Sequence, residues 1–148
     1  MKKISLLIGL LSISIFSNPK DQPNFVIIYV DDMGYADIGE FQDEKISTPN
    51  LDLMASNGQT WTNFYASSSV CTPSRAGLLT GILPVRNGLY GDQIAVFFPG
   101  SKTGIPKNQL TLAEVFQTNG YSTGIFGKWH LGDAKEFLPT RHGFDEYV

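Results

Sequence analysis

Hydrophobic positions in this chain fall into short blocks separated by Gly, Pro and small polar residues. Asn24 to Val30 carries, from Phe25 onward, a continuous run of β-branched and aromatic side chains. Such a run predicts a strand buried on both faces, as in a parallel sheet. It ends in Asp31-Asp32, with Gly34 close by. Thr48-Pro49-Asn50 predicts a helix start, with Thr48 as N-cap and Pro49 at the first helical position, where its missing N–H costs nothing. Leu51, Leu53 and Met54 supply that helix with apolar contacts, and Gly58 fits its stop. Gln59 to Ala66 alternates enough for a second strand, and Ser67 to Ser74 reads as a small polar loop. Arg75 to Leu79 predicts the start of a helix ended by Gly81. Ile82 to Gln109 is long and rich in Gly and Pro, and it carries Tyr90, Phe97 and Phe98; loops of this length inside a domain are functional or mobile. Thr111-Leu-Ala-Glu114 is a capping box opening a helix that runs to about Asn119, with Gly120 as its stop. Tyr121 to Trp129 predicts a third strand leading to His130. The alternation predicts an α/β fold, with a mostly parallel sheet flanked by helices.

The first residues follow a different rule. Lys2 and Lys3 precede the apolar run Ile4 to Phe16, which is too short to span a bilayer comfortably. Residues 1–17 are expected to be a secretory signal peptide and 18–23 a linker. The protein is therefore expected to be secreted or periplasmic, with no stable membrane span. The chain is 42% hydrophobic and 17% charged, which predicts a packed core rather than disorder. Its net charge of −3 and pI near 5.2 carry no nucleic-acid footprint, which would need clustered Lys and Arg.

The single cysteine, Cys71, cannot form an internal disulfide. In an oxidising compartment a lone thiol is buried and inert, paired with another chain, or chemically special. Three motifs decide among these. Adjacent carboxylates such as Asp31 and Asp32 are unfavourable unless a cation holds them, and hard oxygen donors suit Ca²⁺ or Mg²⁺. Cys71-Thr72-Pro73-Ser74-Arg75 runs directly into Ala-Gly-Leu-Leu-Thr-Gly81. In Gly127-Lys128-Trp129-His130-Leu131-Gly132, period-2 alternation predicts Lys128 and His130 on one side and Trp129 on the other.

The Cys-x-Pro-Ser-Arg string and its continuation resemble the signature of the type I, formylglycine-dependent sulfatases of the alkaline phosphatase superfamily. The Gly-Lys-Trp-His string resembles that family's second signature. Asp31-Asp32-Met-Gly-Tyr, Thr48-Pro-Asn-Leu-Asp52, Pro84-Val-Arg86 and Arg141-His-Gly-Phe-Asp145 extend the resemblance across residues 24–148. The segment Asn87 to Gln109 and the order around Lys128 look most like the arylsulfatase A-like branch. Ala36 stands where Gly is usual in the family, and Asn87 where His is frequent.

The resemblance implies sulfate monoester hydrolysis. It implies that Cys71 is converted to formylglycine by a formylglycine-generating or anaerobic sulfatase-maturating enzyme. One Ca²⁺, or Mg²⁺, would be bound by Asp31, Asp32 and the modified Cys71. Arg75 would brace the modified side chain, Lys128 would neutralise sulfate, and His130 would act as base in releasing it. The sulfate ester substrate and the maturation enzyme are the implied partners; nucleic acid is not one. Family members are several times longer, so residues 24–148 are expected to be the N-terminal part of a catalytic domain, inactive alone. The alternatives are a phosphonate or phosphodiester hydrolase of the same superfamily and an inactive anion- or metal-binding fragment.

Overall fold

The computed structural model describes residues 22–39, 46–91 and 96–148. The expected signal peptide 1–17 and residues 18–21 of the linker lie outside them. The chain divides into two units, Met1–Asp32 and Met33–Val148.

In the first unit, residues 24–30 run at the surface and join no sheet ladder among the described residues. Val26 is 84% exposed and Ile28 68%. The doubly buried strand predicted here is therefore corrected. A β-rich run expresses a preference for burial, but a strand exists only when a neighbour pairs with its backbone.

In the second unit, helix α1 covers Pro49–Asn57, with Thr48 as N-cap and Pro49 at its start. The Thr48 hydroxyl makes no cap bond; it accepts from Gly39 N–H at 2.8 Å and donates to Asp52 at 3.0 Å. Leu53 and Met54 are each 60% exposed, so neither is buried as the predicted apolar face requires. The strand predicted over Gln59–Ala66 is replaced by an irregular segment turning at Thr62–Asn63. Its aromatics are exposed, with Trp61 set edge-on to Phe64 at 5.8 Å. Alternation over a few residues is a weak signal when no ladder partner lies beside it.

Helix α2 covers Cys71–Thr80, starting four residues before the predicted position. Pro73 does not prevent this, because the first turn of a helix needs no N–H from it. Gly81 closes α2 with φ 66°, a left-handed conformation that costs glycine little. Gly77 lets the Ser67 side chain lie directly on α2, where any Cβ would collide with it. Helix α3, Pro84–Asn87, follows inside the stretch predicted as loop.

Helix α4 covers Leu112–Thr118 and starts with the predicted capping box: Glu114 N–H donates to the Thr111 hydroxyl at 3.2 Å, and Thr111 N–H to the Glu114 carboxylate at 2.7 Å. Strand β1, Gly124–Ile125, pairs in parallel with β2, Glu146–Tyr147. The third predicted strand thus shrinks to two residues, and the described sheet is small rather than extensive. Gly127, at φ 101°, takes the chain off the extended path soon after β1.

The core gathers Ala76 of α2, Leu89, Phe97 and Ile105 of the long connection, and Trp129 and Leu131 beyond β1. It joins α2 to the segment around Lys128, the two stretches that carry the sequence motifs. Beside it, His142 is fully buried and its ring lies 6.0 Å from that of Trp129. Thr111 donates to the His142 carbonyl at 2.7 Å.

Burial holds the His142 pKa below its ordinary 6.5; Glu114 opposes the shift, Lys107 adds to it, and a hydrogen bond with the Glu136 backbone opposes it. The unfolded chain therefore binds this proton more readily than the folded one. The corresponding stability is fully present above about pH 6.5 and declines as pH falls through that value toward the folded pKa. Urea midpoints should fall more steeply between about pH 7.5 and 5.5 in the native chain than in His142→Gln. Parallel pH profiles would show that this histidine does not carry the acid sensitivity.

Candidate active site around Cys71

Cys71 is the first residue of α2, half-buried and with a free thiol. Val70 before it is extended, at φ −129° and ψ 158°, so the chain enters the helix sharply at the cysteine. The first turn of a helix presents unpaired N–H groups and the positive end of its dipole, an environment that favours anions.

The Lys128 amine lies 3.4 Å from the Cys71 sulfur and donates toward it. The backbone of this lysine is fixed from α2: the Arg75 guanidinium donates through Nη1 to the Lys128 carbonyl at 2.6 Å. Arg75 itself is buried. Two residues further on, the Thr72 hydroxyl donates to the His130 carbonyl at 2.9 Å. Side chains from the first and second turns of α2 therefore fasten the backbone of 128–130 at two points.

The His130 ring points to the long connection, where Nε2 lies 2.7 Å from the Phe97 carbonyl. A carbonyl can only accept, so Nε2 carries the hydrogen and Nδ1 is left as the basic nitrogen. Nδ1 is buried, with no hydrogen-bond partner among the described residues. His130 sits at φ 60°, uncommon for a residue with a Cβ and worth roughly 1–3 kcal/mol of local strain.

Trp129 turns the opposite way. It is buried, donates from its indole to the Phe137 carbonyl at 2.8 Å, and meets Phe144 edge-on at 6.1 Å. Lys128 and Trp129 thus diverge as alternation predicts, but they do so outside a strand. The arrangement comes from Gly127 and His130 at positive φ and from the fastenings to α2.

Asp31 and Asp32 end the first unit, and both are exposed. Asp32 has φ 54°. Among the described residues, no group of three or more His, Cys, Asp or Glu side chains is arranged to hold a metal ion. No described helix is long and apolar enough to cross a membrane.

Two contributors escaped the sequence reading. Thr72 occupies the variable position of the cysteine motif, where the motif assigns no role, although a hydroxyl beside the cysteine is a visible signal. Phe97 takes part through its backbone, which leaves no trace in residue type.

The profile described as Sulfatase matches residues 23–148. Arylsulfatase A of Bos taurus is 51% identical over 128 residues, covering 85% of this chain and 25% of that protein. Arylsulfatase G of Homo sapiens is 51% identical over 126 residues, covering 85% and 23%. The crystal structure of Ps i-CgsB superposes with a TM-score of 0.72 at 39% identity, covering 79% of this chain and 25% of that one. The fold is accordingly sulfatase-like, built here from helices and a small parallel sheet. With the profile spanning most of its length, the chain belongs to the Sulfatase family. It spans about a quarter of the length of the curated relatives it matches.

Replacing Arg75 by Met removes the guanidinium donor from the Lys128 carbonyl. The chain should lose about 1–3 kcal/mol in denaturant unfolding. An unchanged midpoint would mean that this hydrogen bond gives no net fastening.

Proposed function

We propose that the protein hydrolyses sulfate monoesters, with a nucleophile made from Cys71. The observation that carries this reading is the Lys128 amine 3.4 Å from Cys71 at the start of α2, in a chain of the Sulfatase family. A sulfate ester is a poor electrophile surrounded by negative charge, so a fixed cation beside the nucleophile is the first requirement of catalysis. Lys128 supplies that charge, and Arg75 keeps its backbone in place. His130, protonated on Nε2 and basic at Nδ1, is suited to accept a proton.

An unmodified thiol lacks the chemistry that this reading needs. Formylglycine at position 71, once its aldehyde has added one water, would supply two geminal hydroxyls: one would attack sulfur and displace the alcohol, which leaves with a proton, and loss of the proton from the other would release sulfate and restore the aldehyde. Asp31 and Asp32 are hard oxygen donors whose chemistry fits Ca²⁺, with Mg²⁺ as the alternative. The described acidic, His and Cys side chains alone do not complete a ligand set. A cation held by the two aspartates and position 71 would supply Lewis-acid stabilisation of the sulfate oxygens. Lys2, Lys3 and the apolar run after them support a secreted or periplasmic location.

Produced together with a maturation enzyme, the chain should yield a tryptic peptide carrying an aldehyde, or its hydrate, at position 71. Recovery of unmodified thiol alone would count against the proposed nucleophile. The full-length protein should turn over an aryl sulfate in preference to an aryl phosphonate, and the reverse preference would point to a phosphonate hydrolase. In the same protein, Asp31→Asn and Asp32→Asn should each weaken calorimetric Ca²⁺ binding and lower activity together. Full activity after exhaustive chelation would remove the metal from the proposal.

A further inference from the structure

We propose that Thr72 is a positioning residue for His130, acting through a closed ring of hydrogen bonds that includes the backbone of Phe97. The catalytic meaning of this ring rests on the sulfatase reading; the ring itself does not.

Thr72 is fully buried, and its hydroxyl offers one donor and two acceptor lone pairs. The donor goes to the His130 carbonyl at 2.9 Å. A lone pair accepts the Phe97 N–H at 3.1 Å. The Phe97 carbonyl in turn accepts Nε2–H of His130 at 2.7 Å. The ring thus links the first turn of α2, the long connection and the segment beyond β1. It holds the histidine at both its main chain and its imidazole, and both holds depend on one hydroxyl.

Phe97 is a firm intermediary because its own side chain lies in the core with Ala76 and Leu131. His130 is the residue that needs such restraint. A non-glycine residue at positive φ persists only where its surroundings over-determine it. The direction of the imidazole, and so of the Nδ1 lone pair, follows from where the Phe97 carbonyl is held. Loss of the Thr72 hydroxyl removes two of the three bonds at once.

Two variants separate this role from simple packing. Thr72→Val keeps the shape of the side chain and loses the hydroxyl; Thr72→Ser keeps the hydroxyl and loses a methyl. In the chain itself, imidazole ¹⁵N shifts should show His130 protonated on Nε2 in the native protein and in Thr72→Ser, and averaged between tautomers in Thr72→Val. The Phe97 amide should exchange at least about tenfold faster in Thr72→Val than in the other two. In the full-length protein, with rates normalised to aldehyde content, Thr72→Val should lower kcat on an aryl sulfate by about 10- to 100-fold with KM within about twofold. Thr72→Ser should recover most of that loss.

Unchanged ¹⁵N shifts and exchange in Thr72→Val would overturn the ring. Altered spectra with an unaffected kcat, or Thr72→Ser as impaired as Thr72→Val, would overturn the positioning role. If the native protein turns over no aryl sulfate, the sulfatase reading fails. The spectroscopic comparison then still decides whether Thr72 positions the His130 ring.

Discussion

The arrangement depends on the fastening of an irregular segment, residues 128–130, to the first turns of α2. Among the described residues no ladder holds this segment in place, because β1 ends at Ile125. Arg75 and Thr72 replace the missing ladder by donating to the carbonyls of Lys128 and His130. Both donors are buried, and hydrogen bonds shielded from water gain strength while becoming costly to break. The stretch from Cys71 to Arg75 therefore presents its thiol and also secures the residues opposite it.

Local charge and global charge differ in this protein. The chain is net acidic, yet the surroundings of Cys71 combine a helix start, the Lys128 amine and the nearby Arg75 guanidinium. A site can favour an anion through its immediate field even when the whole molecule is negative. The buried Trp129 contributes from the other side. Its indole bond to Phe137 and its contact with Phe144 hold the core face of the segment whose neighbours reach α2.

The sequence overestimated regular structure where a strand requires a partner. Residues 24–30 and 59–66 have the composition of strands, and neither joins a ladder among the described residues. Short-range devices were read more accurately. The Thr111–Glu114 capping box and the Gly81 stop appear where the residues place them, because both need only a few neighbours along the chain. α2 begins four residues before the sequence predicts, since Pro73 is tolerated in a first turn and does not hold that stretch in the loop.

The sequence by itself determined the family, through Cys71-Thr-Pro-Ser-Arg75 and Gly127-Lys-Trp-His130, because those strings specify chemistry residue by residue. It also determined the stop of α2 and both ends of α4 to within a turn, whereas α2 begins four residues before its predicted start. The tertiary structure decided that the Lys128 amine meets the Cys71 sulfur, residues 57 positions apart, and that it does so without a strand. It decided which nitrogen of His130 remains basic, through a carbonyl from Phe97 that no residue type announces. A motif fixes which groups are available. The direction in which each group faces is set by hydrogen bonds between backbones distant in sequence, and their pairing appears only when the chain is folded.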